Sequence, residues 1–174
     1  MALPKLGSPK YFATIPSTGK EIEYRPYTVR EEKALLIAME SENQKQMVAA
    51  VRDLIDACTF GAVKAMDLAM FDFEYLFLKL RAKSVGEGSD LVFKCDECDE
   101  KHEYTLNLDD VEVEGEVKRN LKIKLSDEVG IILKYPTVKS VQDSVSDKKK
   151  KSDYEMTVDM IKNSTLDTTN YYVR

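Results

Sequence analysis

The sequence predicts an α+β fold: an N-terminal hairpin and a helical cluster, followed by an antiparallel, ribbon-like β region and C-terminal helices. Two patterns support this fold class. Apolar residues recur at helical spacing between residues 28 and 84, whereas they alternate with polar residues between residues 89 and 135. Gly86 and Gly88 separate the two patterns and release the chain from the last helix of the cluster.

The composition is that of a globular protein. Of the 174 residues, 43% are hydrophobic and 33% are charged, a balance that supports a packed core. The formal net charge of −5 argues against a general nucleic-acid binder, which needs a basic face. No apolar run approaches the roughly 20 residues of a membrane span, and the three cysteines do not make a disulfide framework. We therefore expect a soluble protein of a reducing compartment, with no nucleic-acid or membrane partner.

The chain divides into four segments that we expect to pack as one domain. Residues 1–27 form an N-terminal arm and hairpin, residues 28–88 the helical part, residues 89–136 the β-rich part, and residues 137–174 the C-terminal helices and tail. The aromatic end of the chain, at residues 168–174, suggests that a further C-terminal segment follows it.

Local signals predict the hairpin and the first helix. Short β-favouring runs at residues 11–15 and 21–27 flank the turn-forming tetrad PSTG. Thr28 and Glu31 fit a capping box, which starts a helix that we expect to run to about Glu40. The inner face of this helix is predicted to consist of Leu35, Leu36 and Met39.

Two further helices carry one-sided apolar stripes. The first covers residues 43–58, and its stripe consists of Met47, Val48, Val51, Leu54, Ile55 and Cys58. The second covers residues 73–84, with Asp72 as its N-cap. Its stripe consists of Phe73, Leu76, Phe77 and Leu80. Tyr75 and Leu78 widen this stripe, so they either lie under the β region or form a partner-binding face.

The β-rich part begins with two half-buried strands. Leu91, Phe93 and Cys95 alternate with polar residues, as do Tyr104, Leu106 and Leu108. Further strands at residues 121–125 and 129–135 could continue the same sheet, and Pro136 stops the last one. Helices are predicted at residues 137–146 and 154–163. The charged run between them, at residues 147–152, is predicted to be a solvated loop, with contact to an acidic partner as the alternative.

Cys95 and Cys98 are the sharpest local feature. Two cysteines at this spacing on a turn between two strands are typical of a zinc ribbon, in which they form half of a tetrahedral zinc site. His102 is a candidate third ligand, but the fourth is not evident unless Cys58, a further segment or a partner supplies it. A metal-free turn of the same shape is the alternative. Redox activity is disfavoured because the surrounding carboxylates should raise the pKa of the thiols.

No set of residues in the sequence predicts catalysis. His102 is the only histidine, and no serine or cysteine near it has the setting of an activated nucleophile. The sequence contains no phosphate-binding loop and no metalloprotease or calcium-binding motif. Cys58 lies on the apolar stripe of a helix, which is typical of a core residue. We therefore expect a protein without enzymatic activity.

Three stretches resemble a known family. They are SPKYF at residues 8–12, IPSTGK followed by YRPYTVREEKALL within residues 15–36, and above all FDFEYLFLKLRAKSVGE at residues 71–87. Together with the later Cys-x-x-Cys turn they are similar to the T-even-type, contractile-tailed bacteriophage baseplate hub protein family. The resemblance covers most of residues 8–135. It implies a small tail-assembly protein without catalytic residues.

The resemblance implies specific partners and a location. The protein would act in the baseplate hub, or in building it, beside the tape-measure protein and other hub proteins. It would be found in the host cytoplasm during assembly and in the baseplate of the virion tail. Candidate partner-binding residues are Tyr75, Leu78, Tyr171 and Tyr172. The alternative, based on the cysteine turn, is a zinc-ribbon-bearing module that recognises nucleic acid or a regulatory protein.

Overall fold

The computed structural model describes residues 7–114, 121–124 and 130–146, in which helices and strands are mixed. The strands are β1 (Tyr11–Thr14), β2 (Glu21–Tyr24), β3 (Gly88–Lys94), β4 (Lys101–Asn107), β5 (Leu121–Lys124) and β6 (Gly130–Leu133). The helices are α1 (Val29–Glu40), α2 (Gln44–Cys58), α3 (Met70–Ser84) and α4 (Val138–Ser146). Short 3-10 turns lie at Ala65–Asp67 and Leu108–Asp110. This mixture is consistent with the predicted α+β class.

The N-terminal hairpin forms as predicted and contributes one face to the core. β1 and β2 pair antiparallel, and the turn between them closes through the Gly19 N–H, which donates to the Ile15 carbonyl at 2.7 Å. Gly19 has a φ of 67°, a left-handed conformation that glycine adopts without strain. Ile15, Ile22 and Tyr24 are buried on one side of the hairpin, because side chains two residues apart share a face of a strand.

The main core lies between the hairpin, α2 and α3. Its members include Ile15, Ile22, Tyr24, Val51, Leu54, Ile55, Cys58, Phe73, Leu76, Leu80 and Val138. The predicted stripes of α2 and α3 are confirmed, except that Met47 is exposed. The predicted helix at residues 137–146 is also confirmed, and Val138 at its start joins the core.

The inner face of α1 differs from the prediction. The helix and its capping box form as expected, and the Glu31 carboxylate accepts from the Thr28 N–H at 2.7 Å. Leu36 and Met39, however, are 54% and 58% exposed, while Ala38 is buried. Glu31 also pairs with Arg25 at the end of the hairpin. This pair turns the helix so that residues 31, 35 and 38 face inward, one turn apart.

The third helix begins earlier than predicted. It starts at Met70 with Ala69 as the N-cap, so the prediction of Asp72 as the cap is wrong. The reason is a tertiary contact: Ala69 bridges to Thr137, and the Met70 N–H donates to the Pro136 carbonyl at 3.2 Å. Backbone pairing thus satisfies the first free donor of the helix, which a side-chain cap would otherwise serve. Asp72 is fully buried in the first turn and accepts from the Ser17 N–H at 2.9 Å.

The β-rich part does not form one continuous sheet within the described residues. β3 pairs only with β4, and β5 pairs only with β6, each as a two-stranded antiparallel sheet. The expectation that the later strands continue the first pair is therefore wrong. After β4 the chain forms the 3-10 turn Leu108–Asp110, in which Leu108 is buried.

Several predicted features lie outside the described residues. They are the first six residues of the arm, the charged run at residues 147–152, the helix at residues 154–163, and the tail that contains Tyr171 and Tyr172. Each described helix is too short or too polar to span a bilayer.

Candidate functional site

The candidate site is the two-stranded ribbon formed by β3 and β4, together with its turn. Its register places Leu91 opposite Tyr104 and Phe93 opposite His102. Directly opposed residues of an antiparallel pair point to the same side. One face of the ribbon therefore carries Leu91, Phe93, His102, Tyr104 and Leu106, and we call it the ribbon face.

Burial along the ribbon face changes from its root to its turn. Leu91 and Leu106, nearer the helices, are half-buried. Phe93 and Tyr104 are 56% and 58% exposed, and Val92 on the opposite side is also exposed. The prediction of two half-buried strands thus holds only for the half next to the helices. A two-stranded hairpin is marginally stable alone and usually needs a covering layer, and the described residues provide none for the outer half.

A buried leucine and a cluster of charges fix the root of the ribbon to α3. The Leu108 side chain is buried, and its N–H donates to the Glu87 carbonyl at 2.8 Å. The Lys83 ammonium donates to the Asp109 carboxylate at 2.7 Å and also to that of Glu87. Lys79 donates to the Asp109 carbonyl at 2.8 Å. The ribbon is therefore attached to the helical cluster mainly at its base.

The charges at the root stabilise one another. The hydrogen bond to Asp109, followed by that to Glu87, raises the pKa of Lys83 above its ordinary value. The same bond to Lys83 lowers the pKa of Asp109. Lys83 and Asp109 are therefore charged at neutral pH, and their ion pair persists through the physiological range. Tyr24 lies beside this cluster, where burial raises its pKa more than Lys83 lowers it.

The turn between the strands holds Cys95 and Cys98 close together. The Cys95 N–H donates to the Glu100 carbonyl at 2.9 Å, and the Asp99 N–H donates to the Cys95 carbonyl at 3.0 Å. Hydrogen bonds to the Cys95 sulfur, from the backbone N–H groups of Cys98 and Glu97 and then from the Cys98 thiol, lower the Cys95 pKa. The expectation that neighbouring carboxylates raise this pKa is therefore wrong for Cys95. Direct N–H donors act at contact distance, whereas the exposed carboxylates are screened by water.

The three predicted metal ligands lie on this ribbon without closing a site. Cys95 is half-buried, while Cys98 and His102 are exposed. Among the described residues, no group of three or more histidine, cysteine, aspartate or glutamate side chains is placed to hold a metal ion. Cys58 is fully buried in α2, where burial raises its pKa to about 11. It is a core residue, as predicted, and the metal site at the turn stays a prediction.

The predicted partner-binding residues of α3 are half-buried. Tyr75 and Leu78 are both partly accessible, and the Lys79 ammonium lies 5.3 Å from the centre of the Tyr75 ring. Burial, and then the negative charge of Glu112, raises the pKa of Tyr75. A partner-binding role for these two residues stays a prediction. Tyr171 and Tyr172 are outside the described residues.

A second exposed apolar surface, which was not predicted from the sequence, lies on α1. Leu36, Ile37 and Met39 are each more than half exposed. A signal was present, because residues 34–39 read ALLIAM. Six apolar residues in succession surround more than half of a helix, so one neighbour cannot cover all of them.

Comparison with known proteins assigns the family. A family model described as T4 bacteriophage base plate protein matches residues 8–173, nearly the whole chain. No curated protein and no solved structure matches the chain. The match places the protein among the structural components of the phage tail baseplate, which contact other baseplate proteins. The hairpin, the helical cluster and the ribbon all lie within the matched range, and the chain belongs to the T4 bacteriophage base plate protein family.

Proposed function

We propose that the protein is a non-enzymatic docking subunit of the baseplate hub, or a protein that builds the hub. Its partners would be other hub proteins and the tape-measure protein. It would work in the host cytoplasm during assembly and could then remain in the baseplate of the tail. Membership of the baseplate family supports this proposal, and the observation that carries it is the exposed outer half of the ribbon face.

The ribbon face has the composition of a protein-binding surface. Phe93 and Tyr104 are exposed on one side of a ribbon whose edges are unpaired in the described residues. Large aromatic side chains are enriched at protein interfaces and often dominate the binding energy. Burying both of them against a partner would also supply the covering layer that a two-stranded ribbon lacks.

The charges around the turn specify the chemistry of the partner. Four carboxylates surround the cysteines: Asp96, Glu97, Asp99 and Glu100. The partner surface should therefore be an apolar patch bordered by basic residues, because complementary charges speed association and exclude wrong partners. The same carboxylates would repel phosphates, which disfavours nucleic acid at this end of the ribbon.

The test is binding of aromatic-to-serine variants to the other baseplate proteins of the same phage. We expect Phe93→Ser and Tyr104→Ser each to weaken the complex with one hub or tape-measure protein by roughly 10-fold or more, which is typical of interface anchors. Phe12→Ser is the matched control, because Phe12 is exposed on the outer side of the N-terminal hairpin. Circular dichroism would verify that all three variants remain folded.

Two outcomes would contradict the proposal. Unchanged binding of both ribbon variants to every baseplate protein would show that the ribbon face is not a docking surface. Salt-sensitive binding to DNA that depends on the ribbon would favour the nucleic-acid module instead. Mass spectrometry of mature tails beside assembly intermediates would then separate a resident subunit from one that leaves.

A further inference from the structure

One side of α1 carries large apolar side chains that are open to solvent. Val29, Leu36 and Met39 are 80%, 54% and 58% exposed. They lie on one side of the helix, because they are spaced seven and three residues apart. Lys33 and Glu40 are also exposed, and each comes four residues after one of these apolar residues, so the two charges border the same side. We call these five residues the outer α1 face.

The order of the charges on the exposed side of α1 opposes the helix dipole. Arg30 is the second residue of the helix and Glu40 is the last. The dipole favours negative charge near the start of a helix and positive charge near its end, so both groups lie at the disfavoured end. Among the residues that the structure describes, neither Lys33 nor Glu40 has an ion pair. A neighbouring helix of opposite direction would offset these charges with its own.

We propose that two copies of this chain pair through their outer α1 faces, with the two helices antiparallel. Leu36 of each copy then packs against Met39 of the other around a two-fold axis, as in the common isologous dimers. In this register Lys33 of each copy lies two residues, or about 3 Å along the axis, from the position opposite Glu40 of the other. A lysine side chain spans that offset, so pairing forms two equivalent ion pairs beside the apolar contact.

The arrangement of charge on the outer α1 face identifies the occupant as a second copy. The face is basic near the start of the helix and acidic at its end, so it is complementary to itself when one helix is reversed. A face of a single sign would repel its own copy and would require a different protein. The apolar residues at the centre supply the contact, while the flanking charges fix its direction and register.

The size of the face sets the strength of the pair. α1 has 12 residues, which makes it about 18 Å long. One face of so short a helix buries less than the roughly 800 Å² per partner that is typical of a stable complex. We therefore expect a reversible pair with a dissociation constant on the order of 10–100 μM.

The experiment uses the full chain alone and needs no baseplate partner, so its result is independent of the proposed docking of the ribbon face. Analytical ultracentrifugation over a range of concentrations should show a reversible change from the single-chain mass of 19.8 kDa to twice that mass. Leu36→Ser should weaken pairing by roughly 10-fold or more. Phe93→Ser is the matched control, because it removes an exposed apolar side chain from the ribbon face instead, and it should leave pairing unchanged.

Reversal of the two charges tests the antiparallel register. Lys33→Glu and Glu40→Lys should each weaken self-pairing by roughly 10-fold, because like charges then meet on both sides of the apolar contact. An equimolar mixture of the two variants should pair as the unchanged chain does, because each flank of the mixed pair joins opposite charges. Both side chains are exposed, and circular dichroism would verify that the variants remain folded.

Four outcomes would overturn the proposal. One is a single-chain mass at all concentrations up to roughly 1 mM, the weak end of specific association. Another is pairing that survives Leu36→Ser at full strength. A mixture of the two charge variants that pairs no better than either variant alone would exclude the antiparallel register. Pairing that is lost in Phe93→Ser but kept in Leu36→Ser would assign the contact to the ribbon face.

Discussion

Replacing Glu31 by glutamine tests the ion pair that joins the N-terminal hairpin to α1. The Arg25 guanidinium donates two parallel hydrogen bonds to the Glu31 carboxylate, at 2.7 and 3.0 Å. The backbone N–H of Arg25 also donates a hydrogen bond to the Cys58 carbonyl at the end of α2. Glutamine keeps an oxygen that can accept from Thr28 in the capping box. The substitution therefore removes the charge while it preserves the helix cap.

The lowered pKa of Glu31 gives the expected magnitude. The hydrogen bond from Arg25 is the main cause that lowers this pKa from 4.5 to about 2. At about 1.4 kcal/mol per pKa unit, the full shift corresponds to roughly 3 kcal/mol. The side chains of Arg25 and Glu31 are 18% and 20% exposed, so water and salt reach the pair. We therefore expect Glu31→Gln to lower the free energy of unfolding by about 1–2 kcal/mol at pH 7.

The dependence on pH identifies the cause of this loss. Because the pKa of Glu31 is lowered on folding, its stabilisation is fully present above about pH 4.5 and disappears as the pH falls towards about 2. The difference in unfolding free energy between the wild-type protein and Glu31→Gln should therefore shrink over that window. This difference can be measured at each pH by urea unfolding, with circular dichroism as the signal.

A neighbouring charge provides the control. Glu32→Gln removes a carboxylate from the same first turn of α1. It should lower the free energy of unfolding by only roughly a few tenths of a kcal/mol, as is typical of a charge near the end of a helix dipole. Equal losses in the two variants would refute the specific ion pair. So would a difference for Glu31→Gln that stays constant between pH 7 and pH 3.

Three further substitutions test how the ribbon and the hairpin are attached. Leu108→Ala should lower the free energy of unfolding by about 2–4 kcal/mol in urea, whereas exposed Leu36→Ala should change it by less than about 0.5 kcal/mol. Lys83→Met should accelerate hydrogen exchange in β3 and β4 but not in α2, because its two carboxylate partners lie at the ribbon root. Asp72→Ala removes the acceptor of the Ser17 N–H and should cost about 1–3 kcal/mol in urea unfolding, while Asp72→Asn should cost less.

Local sequence signals predicted the positions of the helices and strands better than they predicted which parts of the chain these elements contact. The capping box placed the start of α1, and the alternation of apolar residues placed β3 and β4. The start of α3 was missed because its first donor is served by Pro136, sixty-six residues along the chain from Met70. No pattern near Met70 could reveal such a partner. The same limit applies to α1, whose orientation depends on the Arg25 side chain as well as on its own apolar residues.

At the candidate site, the sequence predicted the strands and their turn, but it did not predict the Cys95 pKa or the exposure of the apolar side chains. The spacing of the two cysteines correctly indicated a turn between strands, but the pKa of Cys95 depends on N–H groups whose direction only the folded turn fixes. Phe93 and Tyr104 were expected to be half-buried because they alternate with polar residues. The alternation of apolar and polar residues indicates that one face of the ribbon is apolar, but it does not indicate what covers that face.

The uncovered apolar surfaces therefore carry information about assembly. The outer ribbon face and the Leu36, Ile37 and Met39 surface of α1 both have the pattern of a buried face, yet they are exposed in the described part of the chain. In a monomer that works alone, such side chains would favour aggregation. In a baseplate protein the covering layer can come from a neighbouring subunit, because the protein functions inside an assembly. The residues at which the sequence-based burial prediction fails are thus those at which we expect a partner to bind.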